Sequence, residues 1–290
     1  MYTEMRIQSL YFSATGTTKK IISTIEKHTD LRSELPIDLT LPKQREAFTG
    51  KVMGDIILVG VPVYHGTMPL PIMEPLNRLE GKGKWAVPVV VYGNRSAETC
   101  MDELAKILRD RGFKILAAAS FVAEHSIASK EHPWGLGRPD QSDLEIAAKF
   151  GEQIKEKLCS GPSEIQTGDR FLDFLASART NFSTIVMVES FPEGYHAKLA
   201  HWINGVTTVA FSKDADCAEC MICLNVCPTG ALKVASKEIN EDLCIRCMAC
   251  THACPTGALS FQYIDSPLSN AVVAAVDKAC ADRKEPKIYV

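Results

Sequence analysis

The sequence has no apolar run that approaches the roughly 18–20 residues needed to span a bilayer. The longest run, around Val87–Tyr92, has the length of a buried strand. The first residues lack a basic region followed by a long apolar core, so we expect a cytoplasmic protein. The net charge of −3 shows no excess of positive charge, so nothing predicts nucleic acid binding. The three-glycine dinucleotide motif and the Gly-Lys-Ser/Thr of a Walker loop are also absent.

Cysteine, in contrast, is concentrated near the C-terminus, where eight of the 11 cysteines form two runs of identical spacing. The two runs are Cys217-x2-Cys220-x2-Cys223-x3-Cys227-Pro228 and Cys244-x2-Cys247-x2-Cys250-x3-Cys254-Pro255. They form an internal repeat, because Cys-Pro-Thr-Gly-Ala-Leu occurs at 227–232 and again at 254–259. The spacing is that of bacterial-type two-cluster ferredoxins, so it predicts two [4Fe–4S] clusters and one-electron chemistry.

In that pattern the fourth cysteine of each run ligates the cluster of the other run. The predicted ligand sets are therefore Cys217, Cys220, Cys223 and Cys254 for one cluster, and Cys244, Cys247, Cys250 and Cys227 for the other. Structural zinc would leave the third close cysteine of each run without a purpose, since zinc sites use two Cys-x-x-Cys pairs. Disulfides would need an oxidising compartment. The isolated Cys100, Cys159 and Cys280 are expected to be small buried residues or unimportant thiols.

The first half of the chain alternates strand and helix patterns. The predicted strands are Arg6–Phe12, Ile37–Leu41, Asp55–Val61, Trp85–Tyr92 and Lys114–Val122, and the predicted helices are Thr17–His28, Ala97–Arg111 and Ser142–Leu158. Such alternation predicts an α/β fold with a doubly wound parallel sheet. Five strands in the order 2-1-3-4-5 is the flavodoxin arrangement, in which the ligand lies at the carboxyl ends of the strands.

The loop after the first predicted strand brings hydroxyls and a glycine to the start of a helix. This combination favours phosphate binding, because the first backbone N–H groups of a helix are free to bond an anion. The candidate residues are Ser13, Thr15, Gly16, Thr17 and Thr18, and the alternative is a helix start that merely uses Ser and Thr as caps. The pattern resembles the FMN-phosphate loop of flavodoxins.

Two further loops follow the next strands, where they would flank an isoalloxazine ring. Their candidate residues are Pro62, Val63, Tyr64, His65 and Gly66 in one loop, and Tyr92, Gly93, Asn94 and Arg95 in the other. The tyrosines are expected to stack on the flavin or to pack in the core, and backbone N–H groups near Gly93 and Asn94 to bond the ring. Arg95 is placed either by the flavin N1 or in a surface ion pair. With three loops in register, we predict FMN.

A flavodoxin-like module followed by a two-cluster ferredoxin resembles the flavodoxin–ferredoxin fusion family of anaerobic bacteria and archaea. The resemblance covers roughly residues 1–160 and 212–265, and it includes Val61–Gly66, Tyr92–Arg95 and Arg138-Pro139-Asp140. It implies an FMN-binding α/β domain, a small α+β ferredoxin domain with two [4Fe–4S] clusters, and an internal electron chain between them. Residues 161–211 are expected to be a helical spacer or, alternatively, a dimerisation or partner-docking element, and residues 266–290 a helix and tail.

The leading hypothesis is an electron-transfer protein that passes electrons between FMN, the clusters and redox partner proteins. Whether the protein is also an enzyme stays open at this stage. The second hypothesis is a flavin-dependent reductase of a quinone, a nitro compound, oxygen or a corrinoid, with candidate groups at His65, Arg95 and the loop 125–139. Within that loop, Trp134 is expected to close over the flavin or the domain junction, or simply to pack. A redox sensor is the third hypothesis.

Overall fold

The structure is a computed structural model that describes residues 5–165, 206–212 and 216–290. The helices predicted within the spacer, Arg170–Ala178 and Tyr195–Ile203, lie outside the described residues.

The described residues form strands and helices in alternation, followed by a second group of short elements. The strands are β1 (Arg6–Tyr11), β2 (Arg32–Ser33), β3 (Ile37–Asp38), β4 (Ile56–Pro62), β5 (Trp85–Tyr92), β6 (Lys114–Ile115), β7 (Ala118–Val122), β8 (Thr207–Phe211), β9 (Leu232–Lys233), β10 (Glu238–Ile239), β11 (Leu259–Tyr263) and β12 (Lys287–Tyr289). The helices are α1 (Thr17–His28), α2 (Pro42–Ala47), α3 (Leu70–Asn77), α4 (Cys100–Asp110), α5 (Gln141–Ser160), α6 (Ile222–Val226), α7 (Ala249–Ala253) and α8 (Pro267–Cys280).

The main sheet has the strand order β12-β7-β5-β4-β1-β2, with β3 also paired to β1 and β6 to β5. Read from β2 to β7, this is the predicted order 2-1-3-4-5, and the pairs are parallel. The prediction of a flavodoxin-like fold is therefore confirmed. The tail adds an antiparallel edge strand, since β12 pairs with β7.

Helices cover both faces of this sheet, and each face has its own hydrophobic core. Every residue of β4 is buried, as a central strand between two layers of helices requires. On one face, α1 contributes Ile21, Ile22 and Ile25, which helical spacing places on a single side. The sheet thus holds the carboxyl ends of β1, β4 and β5 side by side, where ligands bind in such folds.

Some local predictions differ from the structure for identifiable reasons. The predicted strand Lys114–Val122 is two short strands, β6 and β7, separated by two residues. Neither α2 nor α3 was predicted, because each begins with proline at its first turn and α3 also contains Pro75. Proline is tolerated in the first turn of a helix, but in a sequence it usually marks a break.

The C-terminal elements form a small module of two antiparallel pairs and two short helices. A short apolar stretch follows each cysteine run, Leu232–Val234 after the first and Leu259–Phe261 after the second, and the two could pair as the strands of a hairpin. The structure pairs them with other strands: β9 pairs with β10, and β11 pairs with β8. Because β8 precedes residue 212, this module begins earlier than the sequence indicated. The predicted C-terminal helix is present as α8. Among the described helices, none has the length and apolarity needed to cross a membrane.

Candidate functional site

The eight repeated cysteines line two separate cavities in the C-terminal module. One cavity, with about 320 Å³ of open space, is lined by Cys217, Cys220, Cys223 and Cys254. The other, with about 350 Å³, is lined by Cys227, Cys244, Cys247 and Cys250. In each cavity, three cysteines of one run therefore meet the fourth cysteine of the other run. These are the two ligand sets that the spacing predicted.

The two cysteine loops share an unusual backbone. Glu219 and Met221 in the first run, and Arg246 and Met248 at the equivalent places in the second, all have positive φ angles between 49° and 61°. Left-handed backbone costs a residue other than glycine roughly 1–2 kcal/mol, so the sequence accepts this strain twice in each loop. Such strain is typical of backbone that wraps tightly around a ligand.

The thiols of the second cavity lie in a buried environment. Burial raises the pKa of Cys247 and of Cys250 to about 12, so a cation bound there would have to stabilise their thiolates. Among the described residues, no group of three or more His, Cys, Asp or Glu side chains is arranged to hold a single metal ion. Four cysteines line each cavity, which is the number of ligands that a [4Fe–4S] cluster takes.

Hydrogen bonds of Ser13 fix the loop between β1 and α1. The Ser13 hydroxyl accepts the Lys19 N–H at 3.0 Å, and the Ser13 N–H donates to the Thr40 hydroxyl at 2.9 Å. Gly16 is the N-cap residue of α1 and makes no side-chain cap, while Thr15 and Gly16 are exposed. The Thr18 hydroxyl is buried without a hydrogen-bond partner. Such a group indicates that a ligand atom completes this loop.

The loop after β4 makes a tight turn. The Tyr64 and Thr67 backbones exchange hydrogen bonds of 2.9 and 3.2 Å, and the two residues between them, His65 and Gly66, have φ angles of 57° and 88°. Two positive φ angles are characteristic of a type I′ turn. Pro62 ends β4, Val63 packs against the core, and the turn projects His65 away from the sheet.

The C-terminal tail of the chain packs against the loop after β5. The Asn94 N–H donates to the Tyr92 carbonyl at 3.1 Å, and its side-chain amide donates to the carbonyls of Cys280 and Asp282 at 3.1 and 3.2 Å. Its amide oxygen accepts the Lys284 N–H at 3.1 Å. The structure therefore gives Asn94 an anchoring role for the C-terminal tail, and Gly93 is left as the candidate backbone donor.

The side chain of Tyr92 packs in the hydrophobic core. Its side chain is buried, and burial raises its pKa to about 12. Gly93 next to it has no room for a side chain, because a Cβ atom there would lie 2.7 Å from the Cα atom of His125. The close approach brings the loop after β7 against the loop after β5.

The loops after β4, β5 and β7 come together beside the second cysteine run, because Arg95 and His125 act on His65 and Cys247 acts on Tyr64. The side chain of His65 is exposed. Loss of bulk solvent, Arg95 and His125 together lower the pKa of His65. Burial raises the pKa of Tyr64 well above its usual range, and Cys247 adds to the effect. Arg95 forms an ion pair with Glu98, as one of the two interpretations expected, and its place by the flavin N1 stays a prediction.

Trp134 lies at the junction with the C-terminal helix. It is buried, and its indole N–H donates to the Asp277 carboxylate on α8 at 2.8 Å. The ring also packs edge-on against His125 and against Tyr263 of β11. No sequence pattern pointed to Asp277 or Tyr263, since each is an ordinary residue in its own element and is more than 100 residues from Trp134.

Among the isolated cysteines, Cys100 and Cys280 are buried and Cys159 is exposed. Arg138 of the Arg-Pro-Asp motif forms a buried ion pair with Asp143 and donates to the Lys284 carbonyl at 2.6 Å. Asp140 caps the start of α5 by accepting the Asp143 N–H at 3.1 Å. This motif therefore fastens α5 and the tail to the sheet.

Two family models, both described as a 4Fe-4S binding domain, match residues 215–230 and 237–260, so each covers one cysteine run. No curated protein matches the chain significantly. Similar solved structures include a flavodoxin from the domain Archaea (17% identity, 53% of this chain and 99% of that chain, TM-score 0.40). Another is oxidised flavodoxin 2 from Bacillus cereus (17% identity, 52% of this chain and 99% of that chain, TM-score 0.40). A third is rubredoxin oxygen:oxidoreductase from Desulfovibrio gigas (14% identity, 53% of this chain and 36% of that chain, TM-score 0.41).

The similarity to these structures extends over about half of the chain, so the fold assignment rests on the strand order and connectivity described above. The C-terminal assignment rests on the two family matches and on the cysteine runs that they cover. The chain therefore combines an α/β domain that has the flavodoxin strand order with a C-terminal segment that matches two models of a 4Fe-4S binding domain.

Proposed function

We propose that the protein is an electron carrier that holds FMN and two [4Fe–4S] clusters and exchanges electrons with redox partner proteins. The observation that carries this proposal is the position of Ile245 in the second cysteine run. Its side chain packs against the same hydrophobic core as Val63 and Tyr64 of the loop after β4. Besides burial, Cys247 of the same run raises the pKa of Tyr64, which supports a short distance between the predicted flavin site and a predicted cluster site, as electron transfer within one chain requires.

The phosphate of FMN would be held by Ser13, Thr15, Gly16, Thr17 and Thr18. The unpartnered hydroxyl of Thr18 and the first N–H groups of α1 are donors that suit a phosphate dianion. The start of α1 carries no acidic residue that would repel this charge. These features support a phosphate ligand over a helix start that is merely capped.

The ring of FMN would lie between the loops after β4 and β5. Pro62, Val63, Tyr64, His65 and Gly66 would form one wall, and Gly93 and Arg95 the other, with Tyr92 and Asn94 supporting that wall from behind. Bound FMN would supply exchange of electrons singly or in pairs, while each cluster carries one. The polypeptide would position the groups and exclude bulk water between them.

The proposed domains are a flavodoxin-like domain at 1–160, a spacer from residue 161, a ferredoxin-type domain that extends to residue 265, and a C-terminal helix and tail at 266–290. Strand β8 supports inclusion of Thr207–Phe211 in the ferredoxin-type domain, because it pairs with β11. The tail then returns to the first domain, where β12 pairs with β7. The chain therefore passes between the two domains a second time.

A second candidate function is a flavin-dependent reductase of a small molecule. The exposed side chain of His65 beside Arg95 favours it, because an enzyme needs solvent-accessible polar groups over its flavin. In that case the neutral imidazole of His65 would exchange a hydrogen bond with the substrate, and Arg95 would attract an anionic group. The carrier function needs neither contact.

An anaerobic titration of the reconstituted protein tests the proposal. We expect one FMN and about eight irons per chain. After rapid reduction of the clusters, we expect the flavin to be reduced at a rate that does not change when the protein is diluted tenfold. A rate proportional to protein concentration would contradict the internal relay. Steady turnover of a quinone or nitro compound, abolished in His65→Ala but with the internal rate unchanged, would favour the reductase.

A further inference from the structure

The two cysteine loops are related by the internal repeat but differ in their exposure. In the first run, Met221 and Ile222 are 42% and 40% exposed. At the equivalent positions of the second run, Met248 and Ala249 are 1% and 4% exposed. An internal repeat with the same backbone would have the same exposure if both halves faced solvent. The difference shows that, among the residues that the structure describes, other parts of the chain cover the second loop far more than the first.

The covering surface belongs to the flavodoxin-like domain, on the side of its candidate flavin loops. Ile245 packs against that domain's core, which also receives Ala14, Val63 and Tyr64. Its equivalent in the first run, Ala218, is exposed. Arg45 of α2 donates a hydrogen bond of 2.6 Å to the carbonyl of Pro228, which follows a cysteine of the same cavity as Cys247.

A second contact orients the same half of the repeat. The imidazole Nε2 of His252, on α7, lies 3.3 Å from the carbonyl of Ser126 in the loop after β7. Helix α7 lies within the second run and contains Cys250. Its counterpart in the first half, α6, carries Ile222 and Leu224 exposed to solvent. The contacts from Arg45, Ile245 and His252 therefore all hold the second-run cavity, and not the first, against the flavodoxin-like domain.

We propose that the cofactors are arranged in series: FMN, then the cluster held by Cys227, Cys244, Cys247 and Cys250, then the cluster held by Cys217, Cys220, Cys223 and Cys254. This inference rests on the proposed function and adds the order of the relay. The outer cluster exchanges single electrons with a one-electron redox protein. Each transfer would oxidise one centre and reduce its neighbour, so two successive electrons, together with two protons from solvent, would reduce one FMN.

Ala218→Asp provides a label for the outer cluster. The residue is exposed, so the substitution should be tolerated, and a new carboxylate should lower the potential of the nearer cluster. Comparison of EPR-monitored redox titrations of this variant and the wild type then assigns each cluster signal to one run. Both proteins are prepared with clusters loaded and FMN removed, and the titration is repeated after FMN is added.

We expect added FMN to change the oxidised-to-reduced ratio of the inner cluster by about tenfold at fixed potential, which is 59 mV for one electron. The outer cluster, labelled by Ala218→Asp, should change by less than twofold. Cys220→Asp and Cys247→Asp, at equivalent positions of the two runs, give an independent assignment, because loss of one ligand favours a three-iron cluster with a different EPR signal.

The outcomes are distinct. A change confined to the signal not moved by Ala218→Asp supports the series arrangement. A change confined to the labelled cluster, or an equal change in both, overturns the order while the proposed carrier function stands. Failure of FMN to bind to the cluster-loaded protein, measured by quenching of free flavin fluorescence, overturns the proposed function and this inference together.

Discussion

The guanidinium of Arg45 donates a hydrogen bond of 2.6 Å to the carbonyl oxygen of Pro228, the residue that follows Cys227. The same side chain donates to the carbonyls of Leu39 and Thr40, at 3.1 and 2.6 Å. One planar group therefore joins the loop after β3 to a cysteine loop 183 positions away. Thr40 also accepts the Ser13 N–H, so the contact continues to the candidate phosphate loop.

Arg45→Lys is expected to loosen this contact although it keeps the charge. A lysine ammonium has no planar fork and cannot serve three carbonyls in the same geometry. A hydrogen bond to a charged group contributes about 1.5–3 kcal/mol, so local opening around Pro228 should increase by roughly tenfold or more. Amide hydrogen exchange of the cluster-loaded protein measures it. Arg32→Lys, at an exposed position, is the control, and equal exchange in both variants would contradict the prediction.

Thr18→Val should have opposite effects on the protein without flavin and on flavin binding. The Thr18 side chain is 1% exposed and its hydroxyl has no partner, so a methyl group of similar shape removes a buried, unsatisfied polar atom. The flavin-free protein should therefore be as stable as the wild type or more stable. FMN affinity should fall by roughly tenfold or more, because a hydrogen bond to phosphate is lost.

Thr24→Val is the matched control, since Thr24 is only partly buried and its hydroxyl donates to the Lys20 carbonyl at 2.9 Å within the same helix. It should leave FMN affinity unchanged. Fluorescence titration with FMN and thermal unfolding of the flavin-free protein give the two quantities. A Thr18→Val protein that loses stability but binds FMN normally would show that the hydroxyl serves the fold.

Asn94→Ala should release the C-terminal tail. Three hydrogen bonds to Cys280, Asp282 and Lys284 would be lost. The bond to the Cys280 carbonyl is buried, and a buried group left unsatisfied costs about 1–3 kcal/mol. Asn94 also has a φ of 53°, which alanine tolerates less well than asparagine. We expect a lower unfolding temperature and faster hydrogen exchange in β12. Asn225→Ala, at an exposed position of α6, should change neither, and an unchanged β12 would refute the anchoring role.

The sheet and the cluster cavities could be predicted because their signals are local. Apolar runs such as Trp85–Tyr92 have the length of strands, and the cysteine spacing repeats within one segment. The pairing of Cys254 with the first run followed from the known pattern of such loops. Each of these predictions depends on residues that are near each other in the chain, or on an internal repeat.

The domain junction could not be predicted, because it is made by single contacts between distant residues. Nothing in the sequence around Arg45 or Pro228 indicates that they meet. The same holds for Trp134 and Asp277, and for the edge strand β12, whose three residues carry no distinctive pattern. Asn94 is an example at the site: the flavin contact predicted for the backbone near it stays a prediction, and no local pattern indicated that its side chain holds the tail.

His125 should make the stability of the protein depend on pH below neutrality. Burial and then Arg95 lower its pKa to about 4 in the folded protein, against about 6.5 in an unfolded chain. Between these values the unfolded chain binds more protons, so stability is full above pH 6.5 and is lost as the pH falls towards 4. At pH 5.5 this single group would cost about 1.4 kcal/mol relative to pH 7 or above.

Two replacements, His125→Asn and His125→Phe, separate titration from packing. Both remove the titrating group, but only phenylalanine keeps an aromatic ring against Trp134, whose ring centroid is 5.3 Å from that of His125. The apparent unfolding temperature of the cluster-loaded protein, measured anaerobically at pH 7 and pH 5.5, should fall less in both variants than in the wild type. If only one variant lost the pH dependence, the cause would be packing around this residue, because protonation of His125 is absent from both.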